Sequence, residues 1–192
     1  MLARHGHSVL NVERRVNGDP AVPVPLTDEG RDDARRLGLQ LANVPVTACV
    51  HTRFPRTRET AELAVGGRVP FEVEPLLDDI DVGELEGCSI DEYRAWKAVH
   101  SRVDPFPGGE SLADAARRYA AGFRRLVGRD GFVLVVCHEI PIRYALNAAG
   151  GSGQLDAPVH DIANAAPFLF EREALERAAD RIVELAAVEP NK

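Results

Sequence analysis

Residues 132–138 read Phe-Val-Leu-Val-Val-Cys-His, and this stretch decides the fold. Its first five residues form an unbroken apolar run, which is typical of a central strand covered on both faces. A helical pattern follows through residues 143–148, so the strand leads into a helix. A buried strand followed by a helix is the repeating unit of α/β proteins, and the stretch therefore favours that class.

The sequence on either side alternates in the same way. Short apolar runs predict strands at residues 46–50 and 71–73, and one more within residues 162–170. Apolar spacing and capping residues predict helices at 27–42, 54–64, from 89 onward and at 111–126. From residue 171 the pattern does not separate helix from strand. The alternation predicts an α/β sandwich, with residues 1–192 forming a single domain.

The composition is that of a soluble globular protein and excludes some partners. Of the 192 residues, 45% are hydrophobic and 28% charged, which suits one domain with a sizeable core. Lys and Arg number 23 against 30 Asp and Glu, so the net charge is −7. An acidic surface repels nucleic acid and anionic lipid, and we expect neither as a partner.

The cysteines and the apolar runs bear on the cellular compartment. Three cysteines without a repeated pair spacing predict neither a disulfide framework nor a zinc knuckle. The N-terminal residues lack the apolar segment of a signal peptide, and no later run is long enough to span a bilayer. We therefore expect a cytoplasmic protein.

Two short windows carry the opposite charge to the rest of the chain. Residues 4–15 and 51–58 together hold +5, which leaves −12 for the remainder. Arginine offers a planar fork of donors that matches phosphate or carboxylate. The windows suggest a site for a small anion, although solvated surface arginines would give the same count.

Polar residues follow the predicted strands at the edge where α/β proteins bind ligands. They are Arg4, His5, Arg56, the acids Asp78, Asp79 and Asp81, and His138. Two arginines, two histidines and an acid that meet at one edge can handle a phosphate group, and Gly6 would let a ligand approach the backbone. Taken singly, each residue could instead be structural. His5 and His7 could also belong to a metal site, although the neighbouring arginine would repel a cation.

Six short motifs stand in order between residues 4 and 143. They are Arg-His-Gly-His-Ser at 4–8 with Asn11, Pro-Leu-Thr-Asp-Glu-Gly at 25–30, Thr-Arg-Phe-Pro-Arg-Thr at 52–57, Leu-Asp-Asp-Ile-Asp-Val-Gly at 77–83, Pro-Gly-Gly-Glu-Ser at 107–111 and Val-Val-Cys-His at 135–138. In this order they resemble the motifs of the histidine phosphatase superfamily, whose members are phosphoglycerate mutase-like and share an Arg-His-Gly motif. The resemblance implies a three-layer α/β/α sandwich with a central, mostly parallel sheet.

The resemblance also implies a role for each matching residue. His5 would be the nucleophile that forms a phosphohistidine. The phosphoryl oxygens would be held by Arg4, Arg56 and His138, with help from Asn11. Guanidinium and imidazole donors can stabilise a transferring phosphoryl group by themselves, so the resemblance implies no metal and no cofactor.

The general acid falls on Asp79, at a position where the family commonly has Glu. A carboxyl group beside a bound phosphate stays protonated, so it could donate a proton to the leaving alkoxide. Asp78 and Asp81 are the alternatives. Asp is one methylene shorter than Glu, which makes the reach of Asp79 the open question.

Three features depart from the family pattern. Only residues 1–3 precede the first motif, where the family has a longer apolar strand. His7 stands where Glu or Gln is commoner, and Glu139 follows the second histidine where Gly is common. A carboxylate that faces phosphate weakens binding, so Glu139 either points away along its helix or contacts a cationic or hydroxyl part of the substrate.

The sequence favours hydrolysis over isomerisation. The mutases of the family carry a longer insertion before the Pro-Gly-Gly-Glu-Ser turn, whereas residues 79–110 here form a short cap with a single helix between Cys88 and Phe106. We therefore expect a phosphatase that acts on a small phosphorylated metabolite. Mutase-type phosphoryl transfer is the alternative, followed by phosphate binding without turnover. Cys137 to Arg143 also satisfies the Cys-x5-Arg spacing of cysteine-dependent phosphatases, although Pro141 lacks an amide proton to cradle phosphate.

Overall fold

The computed structural model describes residues 1–188 and contains one five-stranded sheet in that range. The strands are β1 (Leu2–Arg4), β2 (Val46–His51), β3 (Phe71–Val73), β4 (Phe132–Cys137) and β5 (Pro167–Phe168). Their order across the sheet is β3-β2-β4-β1-β5. The neighbours pair in parallel except β5, which runs antiparallel to β1 at one edge. The apolar run that the sequence singles out, β4, thus lies at the centre.

Residues 1–188 contain seven α-helices, and four of them begin after a residue whose side chain caps the first turn. Their bounds are α1 (Val9–Val12), α2 (Asp28–Gln40), α3 (Pro55–Val65), α4 (Ile90–Val99), α5 (Leu112–Val127), α6 (Glu139–Ala149) and α7 (Arg172–Leu185). Thr27 and Ser111 accept backbone N–H bonds at the starts of α2 and α5. Ser89 and Glu92 form a capping box at the start of α4. Pro55 occupies the first turn of α3, where its missing N–H costs nothing.

Alternate residues of the central strands face opposite layers of helices. Leu2 and Val135 pack with α5, α6 and α7 on one face of the sheet. Ala3 and Val136 pack with α2 and α3 on the other face. The three-layer α/β/α sandwich with a mostly parallel sheet is therefore confirmed.

The predicted elements are confirmed, with bounds that shift by a few residues. Three features were not predicted: the four-residue helix α1, the shortness of β5, and the helix α7 in the tail that the pattern left undecided. The helix α7 buries Leu175, Ala178 and Ile182 in the core that it shares with α5 and α6. Between Cys88 and Phe106 lies the single helix α4, as the sequence predicts.

Candidate active site

The sheet register places two histidines side by side at the ends of neighbouring strands. Arg4, the last residue of β1, pairs with Cys137, the last residue of β4, so both strands end at the same level. The next residues are His5 and His138, whose ring centroids lie 5.4 Å apart. Both histidines are buried. The predicted meeting of these two side chains at one sheet edge is confirmed.

The contacts of His5 fix which ring nitrogen carries the lone pair. Its Nδ1 lies 2.8 Å from the carbonyl oxygen of Gly6, which only accepts, so Nδ1 carries the proton. Its Nε2 lies 3.1 Å from Nε of Arg56, which only donates. Burial, together with the charges of Arg56 and Arg4, holds the pKa of His5 well below its usual range. His5 is therefore a neutral imidazole with the lone pair on Nε2.

Arg56 connects the reactive groups of the site. It lies in the first turn of α3 and is buried. Besides its contact with His5, its Nη2 donates to Oδ2 of Asp79 and to Nδ1 of His138, both at 3.1 Å. Nη1 and Nη2 also donate to the side-chain and backbone oxygens of Asn17. A planar fork of donors is thus held rigidly beside the two histidines.

His138 is a second neutral imidazole, fully buried behind Arg56. Its Nε2 lies 2.9 Å from Oγ1 of Thr52, and its Nδ1 lies 3.4 Å from Oδ2 of Asp79. Burial, then the charges of Arg56 and His5, hold the pKa of His138 well below its usual range. Because Nδ1 accepts from Arg56, the one N–H of this neutral ring is on Nε2 and donates to Thr52.

Asp79 is the carboxyl group that reaches this cluster. Its side chain is 22% exposed, and its Oδ1 accepts the backbone N–H of Ile80 at 3.0 Å. Burial raises the pKa of Asp79, although the nearby Arg56 opposes this shift. A carboxyl group that keeps its proton at higher pH can act as a general acid.

Arg118 of α5 fixes the loop that carries Asp79. Its guanidinium donates to the backbone oxygens of Leu76, Asp78 and Asp79 at 2.9 to 3.1 Å. The same group is paired with the carboxylate of Glu110, from the Pro-Gly-Gly-Glu-Ser turn. This turn therefore anchors the acid loop, although nothing in the periodicity of α5 distinguishes Arg118 from a surface arginine.

The two alternative acids have other partners. Asp78 is buried and accepts two hydrogen bonds from Arg53, one from the backbone N–H and one from Nε. Asp81 is exposed and accepts the backbone N–H of Gly83 at 2.9 Å. Among the hydrogen bonds of residues 1–188, neither side chain contacts Arg56. The geometry therefore favours Asp79 as the acid.

Arg4 and Glu139 face each other inside the site. Nη1 of Arg4 lies 3.0 Å from Glu139 and donates to the carbonyl oxygen of Ile162 at 2.7 Å. Glu139 therefore does not point away along its helix, and that alternative is wrong. Asn11 also lies here, and its Oδ1 accepts the backbone N–H of Ser8 at 3.1 Å as part of the α1 capping box. The amide Nδ2 of Asn11 remains as a donor.

A cavity of about 260 Å³ opens in front of these groups. Five of the six predicted site residues line it, and these are Arg4, His5, Asn11, Arg56 and Asp79. The sixth, His138, is buried behind Arg56. Further cations on the cavity wall are Arg15, Arg94, Lys97 and Arg143. The volume and the charge suit a small anionic ligand.

Asn17 and Glu86 hold Arg56 in place, and neither was predicted as a site residue. Asn17 holds the guanidinium of Arg56, and its amide donates to Glu86 at 2.7 Å. Glu86 also accepts the backbone N–H groups of Gly18 and Asp19. Both residues act through irregular loops, where neither periodicity nor capping provides a signal.

Gly6 serves a close contact between backbones rather than the approach of a ligand. A Cβ atom on Gly6 would overlap the carbonyl oxygen of Gly30, near the start of α2. A Cβ atom on Gly30 would in turn overlap the carbonyl oxygen of His7. It would also lie only 2.6 Å from the backbone nitrogen of His7. The loop that carries His5 can therefore reach α2 only because both residues lack side chains. The expectation that Gly6 admits a ligand is corrected accordingly.

We expect Gly30→Ala to destabilise the fold, because the new methyl group would overlap the backbone of His7, which cannot move aside as a flexible side chain could. The expected loss in the free energy of unfolding is about 3 kcal/mol, measured by urea denaturation. Gly67→Ala is the matched control, because its Cβ would meet no atom within 4 Å. A loss below about 0.5 kcal/mol for Gly30→Ala, the range of neutral surface changes, would contradict the close contact.

The Cys-x5-Arg spacing does not form a phosphate loop. Cys137 is the last residue of β4 and is completely buried in the core. Burial raises the pKa of the Cys137 thiol to about 12, which disfavours a nucleophilic thiolate. Arg143 faces Glu139 and Asp156 instead. The spacing is therefore a coincidence of sequence.

Neither a metal-ligand cluster nor a membrane-spanning helix occurs in the part of the chain that the structure describes. Within residues 1–188, no three His, Cys, Asp or Glu side chains group as ligands for a metal ion. His7 lies 4.0 Å from Glu29, whereas His5 lies against Arg56. In the same part of the chain, no helix combines the length and apolarity needed to cross a bilayer.

Known proteins share this sequence pattern. The sequence profile of the histidine phosphatase superfamily, branch 1, matches residues 1–184. Human 6-phosphofructo-2-kinase/fructose-2,6-bisphosphatase 4 is 30% identical over 183 residues, which cover 88% of this chain and 37% of that protein. The chain thus spans little more than a third of that relative. The 2,3-bisphosphoglycerate-dependent phosphoglycerate mutase 2 of Gloeobacter violaceus is 29% identical, over 91% of this chain and 85% of that protein.

Solved structures share the fold. Bacillus stearothermophilus YhfR superimposes with a TM-score of 0.69 at 31% identity, over 79% of each chain. The α-ribazole phosphatase from Shigella flexneri gives a TM-score of 0.69 at 23% identity, also over 79% of each chain, and shows the fold alone. The profile match over 184 residues, the paired histidines and the shared fold agree. The chain belongs to the histidine phosphatase superfamily, branch 1.

Proposed function

We propose that the protein is a metal-independent phosphatase that hydrolyses a small phosphomonoester through a phosphohistidine on His5. The observation that carries the proposal is the state of the His5 ring. Its Nδ1 proton is held by the Gly6 carbonyl, and its Nε2 lone pair lies at the cavity beside Arg56. Such a nitrogen can attack phosphorus without first losing a proton, once Arg56 donates to the phosphoryl oxygens instead.

The proposed reaction has two steps. In the first, Nε2 of His5 forms a bond to phosphorus while the bond to the ester oxygen breaks, and Asp79 gives its proton to the leaving oxygen. In the second, water attacks the phosphohistidine, Asp79 takes a proton from that water, and the P–N bond breaks. Inorganic phosphate and neutral His5 result, and Asp79 is protonated again for the next turnover.

The neighbouring cations supply the electrostatic stabilisation. Phosphoryl transfer spreads negative charge over the equatorial oxygens, and fixed donors lower the barrier when they face those oxygens. Arg56 and Arg4 line the cavity beside His5, and the buried His138 lies directly behind Arg56. The same charges help to keep His5 neutral, because they hold its pKa low.

Mutase-type transfer is a second candidate because one relative, matched over 85% of its length, is a phosphoglycerate mutase. A mutase passes the phosphoryl group of His5 to a second hydroxyl rather than to water. In this chain a single helix, α4, borders the cavity from residues 79–110, and Arg94 on its wall is exposed. An open wall admits water, and hydrolysis is therefore the function that we favour.

A panel of phosphomonoesters assayed in EDTA tests the proposal. We expect steady release of inorganic phosphate from small alkyl and aryl esters, with a rate that is unchanged by EDTA. Transfer of phosphate to a second hydroxyl without release of inorganic phosphate would favour the mutase. Binding without turnover of any ester, or activity that EDTA abolishes, would overturn the proposal.

Asp79→Asn should slow the cleavage of esters with basic leaving groups more than that of esters with weakly basic ones. An alkoxide needs a proton to leave, whereas p-nitrophenolate does not. In the first turnover we expect cleavage of an alkyl ester to fall by roughly 10²- to 10³-fold, and release of p-nitrophenolate by less than about tenfold. Rapid mixing followed by product analysis measures both rates.

The pH profile gives a second readout for Asp79. The acid must be protonated, so alkyl ester cleavage should fall as pH rises through the raised pKa of Asp79. That fall should disappear in Asp79→Asn. Asp81→Asn is the matched control, because Asp81 is exposed and contacts Gly83. Equal losses for the two ester classes, or the same loss in Asp81→Asn, would remove Asp79 from the acid role.

A further inference from the structure

A carboxylate lies in the cavity beside the groups that would hold phosphate. Glu139 is the first residue of α6, directly after His138, and its side chain is 30% exposed. One of its oxygens lies 3.0 Å from Nη1 of Arg4, and the other lies 3.2 Å from Nη1 of Arg143. A negative charge at this place repels a phosphate dianion and weakens its binding. The position of Glu139 therefore calls for an explanation.

Arg143 ties Glu139 to the cavity wall independently of Arg4. Arg143 is only 13% exposed, and its Nη2 lies 3.0 Å from Asp156 while its Nη1 donates to the carbonyl oxygen of His160. Phosphoryl oxygens would compete with Glu139 for Arg4, but they would not release Arg143 from the loop that follows α6. The carboxylate would therefore stay on the cavity wall beside a bound phosphate.

We propose that Glu139 determines substrate specificity by selecting leaving groups that carry a hydrogen-bond donor near the ester oxygen. A hydroxyl or ammonium group there would donate to the carboxylate, whereas a carboxylate of the substrate would be repelled. The inference rests on the proposed phosphatase function. Discrimination by an unfavourable contact with the wrong ligand is a common route to specificity.

The reach of Glu139 is consistent with this role. Its charge is one of the influences that raise the pKa of Asp79, after burial, so it acts on the reacting groups. Arg15, Arg94 and Lys97 also line the cavity and attract anions in general. Glu139 instead acts on charge close to the phosphate, because Arg143 holds it beside Arg4.

Three two-carbon esters that differ only in the terminal group test the proposal. They are 2-aminoethyl phosphate, 2-hydroxyethyl phosphate and phosphoglycolate. For Glu139→Gln, which keeps the size of the side chain, we expect the ratio of kcat/KM for 2-aminoethyl phosphate to that for phosphoglycolate to fall by about tenfold or more. The ratio for 2-hydroxyethyl phosphate should fall less, because Gln still accepts a hydrogen bond.

Asp161→Asn is the matched control, because Asp161 lines the same cavity but is exposed to solvent. Its ratio should change by less than about twofold, since solvent and salt screen an exposed charge. A ratio within about twofold of wild type in Glu139→Gln, or an equal shift in both variants, would overturn the role of Glu139. A wild type that cleaves neither these esters nor p-nitrophenyl phosphate would instead overturn the phosphatase function, and this inference with it.

Discussion

His5→Ala should lower kcat for every phosphomonoester by roughly 10⁴-fold or more, the range seen when a covalent nucleophile is removed. The reason lies in the geometry of the ring. Nε2 of His5 is the one nitrogen in the cluster that combines a lone pair, a neutral ring and a place on the cavity wall. Alanine removes the atom that would bond to phosphorus, whereas the cations around it remain to bind substrate. We therefore expect KM to change much less than kcat.

His7→Ala is the matched control for this variant. His7 lies two residues further along the same loop, but it faces Glu29 and is half-buried. It should retain kcat within about tenfold, and thermal unfolding should show that both variants are folded. Equal losses in the two variants would indicate a damaged loop rather than a missing nucleophile. Near-normal turnover by His5→Ala would show that another group attacks phosphorus.

Arg56→Ala should lower kcat/KM by roughly 10³-fold or more, because a guanidinium that faces a transferring phosphoryl group contributes about 10³ to 10⁵ in rate. The side chain donates to His5, Asp79 and His138 at 3.1 Å each. Its removal deprives the transition state of a fixed positive charge. It also leaves Asp79 without its nearest cation, which raises the pKa of that carboxyl further.

Arg56→Lys tests whether charge alone is sufficient. Lysine keeps the positive charge but lacks the planar fork, so we expect it to recover only a small part of the lost activity. Arg58→Ala is the matched control, since Arg58 lies two residues along α3, is exposed and pairs with Glu62. Full activity of Arg56→Lys, or a loss in Arg58→Ala as large as that in Arg56→Ala, would contradict the proposed role. Measurement of kcat and KM with p-nitrophenyl phosphate distinguishes these outcomes.

The sequence predicts the architecture because each layer has a local signature. The apolar run at residues 132–136 identifies the central strand, and Thr27, Ser89 and Ser111 mark the helix starts. The tail is different. The buried residues of α7, such as Leu175, Ala178 and Ile182, stand at helical spacing, but no side-chain cap marks its start after Glu171.

The charge windows predict the region of the site but not which arginines belong to it. Of the cations in those windows, Arg4, Arg15 and Arg56 line the cavity. Arg14 and Arg58 instead form exposed ion pairs with Asp91 and Glu62. Local charge cannot separate the two groups, because the difference depends on where a helix or strand begins.

The contacts that hold the site in place lie beyond the reach of motifs. Arg118 fixes the loop of Asp79 although the two residues are 39 positions apart in the sequence. Asn17 and Arg56 are separated by the same number of positions. Glu139 is visible in the sequence as a departure from the family pattern. Only the structure shows that it faces Arg4 and Arg143 inside the cavity.

The most direct test of the account is to trap the covalent intermediate. Asp79→Asn should accept phosphate from p-nitrophenyl phosphate without an acid but release it slowly for lack of a base. We predict that quenching within the first turnover gives up to one phosphoryl group per chain, stable to alkali and labile to acid, and that peptide mass spectrometry places it on His5. Release of p-nitrophenolate with no phosphoryl group on His5, or with an acid-stable phosphoryl group on Cys137, would contradict the account.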